Sequence, residues 1–239
     1  MICHLYELIF LSIFSPQSYY LLFNIQNKYT KFERRTFLIF APFRDYQEIT
    51  FNMAEQKTNQ VHIKLSMDQL KRPSVEAFKK QAKLPVTLVL DNVRSMHNVG
   101  SAFRTADAFA LEKILLCGIT GTPPHREIEK TALGATRSMA WQHIAETEQA
   151  VKQLQDDGYR IVAVEQAAGS RALHRFSPIP TEKYALVFGN EVHGVSDGVM
   201  AMADSCIEIP QSGTKHSLNI AVSVGIVLWD FYTKLHLNT

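Results

Sequence analysis

An α/β fold, a mostly parallel sheet flanked by helices, is the class this sequence predicts, and three observations predict it. Strand-like apolar runs alternate with helix-like periods from residue 86 to residue 236. Three loops that combine Gly with polar side chains follow predicted strands, where open α/β sheets bind ligands. Hydrophobic residues make up 46% of the 239 and charged ones 20%, enough apolar side chain for a real core.

Taken in order, residues 66–82 read as a helix, with a capping-box pattern at Ser66 and Gln69 and Leu70, Val75 and Phe78 roughly helix-spaced. Strands are expected at Val86–Asp91, Lys113–Cys117, Trp141–Ile144, Arg160–Val164, Tyr184–Phe188 and Cys206–Ile209. Helices are expected at Asn98–Phe109, 146–157, 196–203 and Ser217–His236, capped by Asn98 in the first case and Ser217 in the last. The last helix is apolar nearly all round up to Asp230, so it needs cover on every side. Ala221, Ser223 and Gly225 would let a second copy of the chain approach, and a homodimer through this helix is expected; burial within one chain is the alternative.

Composition divides the chain. All 11 glycines lie from Gly100 onward, whereas residues 1–52 hold 8 of the 14 Phe and 5 of the 8 Tyr. Residues 1–52 therefore read as a non-native or disordered extension, with a packed or membrane-associated segment as the alternative; the working protein is expected to begin at Met53, with a basic helical arm at 53–85 and the main domain at 86–239. The apolar run from Leu5 to Phe14 has neither the basic start nor the cleavage site of a signal and is too short to span a bilayer. Cys3, Cys117 and Cys206 are odd in number and far apart, which reads as a reducing, cytoplasmic setting with no membrane. A formal charge of +2 excludes a polybasic protein, so a nucleic-acid partner must be held locally. Residues 53–85 carry seven Lys/Arg against three Asp/Glu, among them Lys71, Arg72, Lys79, Lys80 and Lys83, either a solvated helix face or an RNA-facing patch.

The three loops hold the candidate chemistry. The first runs from Asn98 through Gly100 to Arg104, where a flank salt bridge for Arg104 is the plain alternative to a role at the strand ends. The second, Gly189 to Gly194, resembles a phosphate loop but lacks its Lys, leaving Glu191 as the only ionised side chain between two glycines. The third runs from Ile207 through Pro210 and Gly213 to Ser217 and Asn219. Asn219 is unusual in a first helical turn unless its amide is used. His97, His125, His193 and His216 lie near these loops without metal-ligand spacing, and no metal is expected. A nucleophile elbow and a dinucleotide fingerprint are both missing.

In this order and spacing the segments resemble the three motifs of the SpoU family of RNA ribose methyltransferases in the SPOUT (α/β-knot) superfamily. The matches are Asn98-x-Gly100-x-x-x-Arg104-Thr105, then Phe188-Gly189-x-Glu191-x-x-Gly194-x-Ser196, then Ile209-Pro210-x-x-Gly213-x-x-x-Ser217-Leu218-Asn219, with Gly134-Ala135 between the first two. The likeness covers residues 86 to about 235; Gln211, Val195 and Trp229-Asp230 depart mildly from the usual pattern. The resemblance implies a C-terminal trefoil knot, S-adenosylmethionine as methyl donor, and a ribose 2′-hydroxyl of tRNA or rRNA as acceptor, with tRNA favoured over 23S rRNA because the extra N-terminal domain of many rRNA-directed relatives is not seen. It implies Arg104, Asn98, Glu191, Ser217 and Asn219 as the catalytic set. It places the main chain of Gly189, Ile209 and Leu218, with Gln166, at the cofactor and Arg104 at the RNA, where Lys71, Arg72, Lys79 and Lys80 of the basic arm are expected to add contacts. A non-catalytic RNA-binding protein on the same fold is the alternative function.

Overall fold

In the computed structural model, residues 63–66, 68–215 and 217–237 are described, so the leader at 1–52, Met53 and His216 lie outside them. All elements below belong to one unit, Met67–Thr239, of the two into which the chain divides.

The helices are α1 (Val75–Lys80), α2 (Met96–Ala108), α3 (Arg126–Ala132), α4 (Ala135–Ser138), α5 (Thr147–Asp156), α6 (Asp197–Met202) and α7 (Ile220–Tyr232). The strands are β1 (Leu84–Asp91), β2 (Leu111–Cys117), β3 (Trp141–Ile144), β4 (Tyr159–Val164), β5 (Arg171–Ala172), β6 (Lys183–Phe188) and β7 (Ser205–Glu208). They form one sheet in the order β3-β2-β1-β6-β4-β7-β5, and every pairing is parallel.

Alternation along the central strands feeds two cores. Val86, Leu88 and Leu90 of β1 with Leu186 and Phe188 of β6 pack against α2, α3 and α7 through Phe103, Ile128 and Phe231. Val89, Ala185 and Val187 face the other way, onto Val151 and Leu154 of α5 and Val199 of α6. Buried on both faces, these strands need the continuous apolar runs that the sequence shows. Because α2 leaves β1 on one face and α6 follows β6 on the other, the loops after β1 and β6 separate at their carboxyl ends and open a crevice there.

Local chemistry shifts several expected boundaries. Helix 66–82 breaks into a short turn at Asp68–Leu70 and then α1. Pro73 disfavours helical backbone at Arg72, Lys71 sits at φ 43, and the true cap is Ser74, whose hydroxyl accepts from Ala77 N at 3.2 Å. α2 is capped by Ser95, not Asn98, and α7 by Asn219, not Ser217, since Asn219 Oδ1 accepts from Ala221 N at 2.8 Å. α3 and α4 escape the periodicity reading because α3 is mostly polar and buries only Ile128 and Ala132. By length and composition Ile220–Leu237 could cross a membrane, but Val224, Val227, Leu228 and Phe231 are core residues of this sheet. Its other side, Val222, Ile226 and Trp229, is exposed.

Gly100 sets the spacing of α2 on α3: a Cβ there would lie 2.1 Å from Thr131 Oγ1 and 2.3 Å from the Ile128 carbonyl oxygen. Main chain cannot retreat as a side-chain tip can, so Gly100→Ala is expected to destabilise the protein by about 1–3 kcal/mol. Urea unfolding of the variant beside wild type measures it.

Candidate functional site

Motif residues meet at the carboxyl edge of the sheet through one hydrogen-bond chain. The Glu191 carboxylate accepts from Arg94 N at 3.0 Å, from Ser95 N at 3.1 Å and from Asn98 Nδ2 at 3.1 Å. Asn98 Oδ1 in turn accepts from Asn219 Nδ2 at 3.2 Å, while Asn219 Oδ1 caps α7. Glu191 thus satisfies N–H groups just before α2 from another loop, and its negative charge lies at the positive end of that helix. Burial pushes the Glu191 carboxyl up, but the N–H groups of Arg94, of Glu191 itself and of Ser95, with the Asn98 amide, outweigh it, and the net shift is downward.

Three further anchors fix the second loop, and sequence reasoning missed all of them as partners. Buried Asp91 accepts from Thr147 Oγ1 at 2.5 Å, Asn92 Nδ2 at 2.8 Å and Ser196 N at 2.9 Å. Asn190 donates to the Asn92 carbonyl at 2.7 Å and accepts from Val192 N at 2.8 Å. Glu165 accepts from Val195 N at 3.1 Å and from Gln166 N at 2.9 Å. The available signal was the polar residue at the end of each apolar run, since a buried strand end leaves polar groups there only if they are bonded. Gly189 and Gly194 serve this closure: a Cβ on Gly189 would lie 1.9 Å from the Gly194 carbonyl carbon, and Gly194 has φ +70 with Glu165 Oε2 where a Cβ would go.

Beside the chain of bonds lies a cavity of about 360 Å³, within the ~300–1,000 Å³ range of small-molecule sites. Gln166, Gly189, Glu191, Ile209, Ser217, Leu218 and Asn219 all line it, so seven of the expected residues come together. Among the described residues the main chains of Gly189, Ile209 and Leu218 make no hydrogen bond, which leaves donors and acceptors for a ligand. Phe188, Ile209, Leu218 and Ile220 give it apolar wall for a flat ring. Those features fit an adenosine-bearing cofactor held by main chain.

Other expected residues lie apart. Arg104 is exposed on α2, outside the cavity, and makes no salt bridge among the described residues, so the flank-pair alternative fails. Lys79 and Lys80 precede β1, whereas the site follows its end, about 23 Å along an eight-residue strand. Lys71 and Arg72 are exposed on the same arm. Lys83 is committed structurally: its Nζ donates to the Phe78 carbonyl at 2.7 Å and sits 3.2 Å over that ring. Burial first and Asp91 second push the Cys117 thiol up to about 12, which removes it as a nucleophile. Among the described residues no three metal-binding side chains converge.

A family model described as the SpoU rRNA Methylase family matches residues 85–229. The chain belongs to that family. A relative, the 23S rRNA (guanosine-2′-O-)-methyltransferase RlmB of Neisseria meningitidis, is 26% identical over 170 residues, 71% of this chain and 62% of that protein. The chain thus spans less than two thirds of the length of the curated relatives it matches first. Among solved structures, the A. aeolicus TrmH/SpoU tRNA modifying enzyme superposes with TM-score 0.62 at 24% identity over 69% of this chain and 82% of that one, a likeness of fold. An AdoMet-bound rRNA methyltransferase from Sinorhizobium meliloti gives 0.57 at 28% identity over 64% of this chain and 60% of that one. The SpoU fold class expected from the motifs, with its parallel sheet, is the one observed.

A carboxyl group with a lowered folded-state value stabilises above its unfolded value, and that stability is lost as pH falls through the folded value. Glu191 therefore adds to acid sensitivity below the ordinary carboxylate range. In urea unfolding at a series of pH values, Glu191→Gln is expected to be less stable than wild type near neutral pH and to lose less stability on acidification; parallel curves would contradict this.

Proposed function

We propose that this chain is an S-adenosylmethionine-dependent methyltransferase acting on a ribose 2′-hydroxyl in RNA. The observation that carries the reading is the cavity lined jointly by Gln166, Gly189, Ile209 and Leu218, whose last three residues keep free main-chain groups. Two structural neighbours solved with AdoMet bound share the fold, and the Neisseria relative is a guanosine-2′-O-methyltransferase. The chemistry that S-adenosylmethionine supplies when bound is an electrophilic methyl group for displacement by the ribose oxygen. The main chain of Gly189, Ile209 and Leu218, with the Gln166 amide, would hold it.

The ribose hydroxyl is a weak nucleophile and must lose its proton at or before attack. Glu191 is unsuited to take it, because both carboxylate oxygens already accept hydrogen bonds and its affinity for a proton is reduced. A guanidinium offers hydrogen-bond donors and no acceptor, so the role of Arg104 is to orient the target phosphate and to stabilise negative charge growing on the oxygen. Asn98, Glu191 and Asn219 act as positioning residues that hold the three loops in register, with Ser217 at the cavity wall.

Within RNA the reading favours tRNA over 23S rRNA, and the mass mapping below decides between them. It includes the trefoil threading of the segment before α7, a cytoplasmic setting, and a homodimer through α7, supported by the exposed stripe of Val222, Ile226 and Trp229. Residues 1–52 remain, in this reading, an extension outside the working unit.

Calorimetric titration with S-adenosylmethionine tests the core of the proposal: saturable binding is expected, and its absence would leave a non-catalytic RNA-binding protein. Arg104→Ala is expected to lower methyl transfer at least 100-fold with cofactor affinity unchanged, consistent with the ~10²–10³ cost of losing one charge-stabilising donor. Near-normal turnover would refute the role. Mass mapping of 2′-O-methyl nucleotides in tRNA and rRNA from a deletion strain identifies the substrate. In sedimentation, Ile226→Asp with Trp229→Asp is expected to yield monomers.

A further inference from the structure

Loops after β1 and β2 leave the sheet side by side. Val93 N donates to Thr120 Oγ1 at 2.9 Å, and Ile119 N to Asn92 Oδ1 at 3.1 Å. α2 and α3 then run from the same edge with their first turns in contact, His97 meeting Glu127 and Thr131 Oγ1 reaching the His97 carbonyl at 3.1 Å. Both helices therefore start at the carboxyl edge of the sheet, the edge on which the cavity lies.

Cations gather there. The Arg94 main chain is one hydrogen bond from cavity-lining Glu191, yet its side chain is exposed and without an ion pair among the described residues. On α3, Arg126 is 95% exposed and Lys130 68% exposed, and their only carboxylate is Glu127, at 3.9 and 4.0 Å. Glu127 is itself engaged by His97, and pairs so long and so exposed hold weakly and are easily exchanged for another anion. Glu129 is turned to Thr136, 2.9 Å away, and Glu191 is spent on main-chain N–H groups. Arg104 lies two turns beyond His97 on the same helix. The α1 lysines, by contrast, sit beyond the opposite edge of the sheet.

Resting on the RNA reading above, the geometry points to a phosphate-binding rim of Arg94, Arg126 and Lys130 as the surface that holds the RNA backbone beside the cavity, with the α1 arm secondary. Flexible, exposed cations along this edge can take successive phosphates while leaving the bases free, so the rim supplies affinity and placement, not sequence choice.

The test compares the full chain with Arg94→Gln/Arg126→Gln/Lys130→Gln and with Lys79→Gln/Lys80→Gln. Filter binding of an unmodified tRNA transcript is measured over a salt series, with calorimetry of S-adenosylmethionine alongside. Each lost phosphate contact flattens log K against log salt by ~0.7–0.9, so the rim variant should lose about 2 in slope and at least tenfold in affinity at low salt. Its cofactor affinity should stay at the wild-type value. A wild-type slope in the rim variant overturns the inference, as does a larger loss in the α1 variant. Rim-dependent RNA binding without any cofactor binding would uphold the rim and overturn the methyltransferase reading instead.

Discussion

Capture of the Arg94 and Ser95 N–H groups and the Asn98 amide by the Glu191 carboxylate is the contact on which the site depends. It joins the loop after β1 to the loop after β6, which otherwise diverge because their helices pack on opposite faces of the sheet. Through Asn98 the same chain reaches Asn219 and so the start of α7. One ionised side chain thereby ties three distant stretches of sequence into a single wall. The same bonds that hold the wall also keep Glu191 ionised, which makes it a clamp and removes it from proton transfer.

A clamp of this kind works only on a second loop that is itself rigid. Asp91, Asn190 and Glu165 supply that rigidity from beneath, each spending its polar atoms on main-chain or side-chain donors and acceptors of neighbouring loops. Gly189 and Gly194 allow the loop to cross itself at van der Waals distance. What is left unbonded is main chain at Gly189, Ile209 and Leu218, facing a cavity with apolar walls. Rigid side-chain networks around open backbone groups make a preorganised site, in which little ordering cost falls on ligand binding.

Much of this was legible in the sequence. Apolar runs located all strands except the two-residue β5, most clearly the central strands, which are buried on both faces and apolar along their length. The motifs held six residues that line one cavity, and the resemblance added Gln166 at a strand end. What remained hidden was partnership. Asn98 and Ser217 look like caps, yet Ser95 and Asn219 do the capping, which frees the Asn98 amide for Glu191. The run of lysines before β1 looks like one patch, yet Lys83 folds back onto Phe78 and the rest stand away from the site. α3 carries too few buried residues to announce itself, although it sets Arg126 and Lys130 on the exposed side beside α2. Local pattern reports burial; it does not report which distant group completes a bond.

The claim that three loops act as one unit is tested most directly by a double-mutant cycle on cofactor affinity, with Asn98→Ala, Asn219→Ala and the pair measured by calorimetry. The two side chains share a bond of 3.2 Å. Coupling of about 0.5–3 kcal/mol is expected, with the second substitution costing much less once the first is made. Strictly additive losses would mean that the loops contribute separately, and would contradict the account.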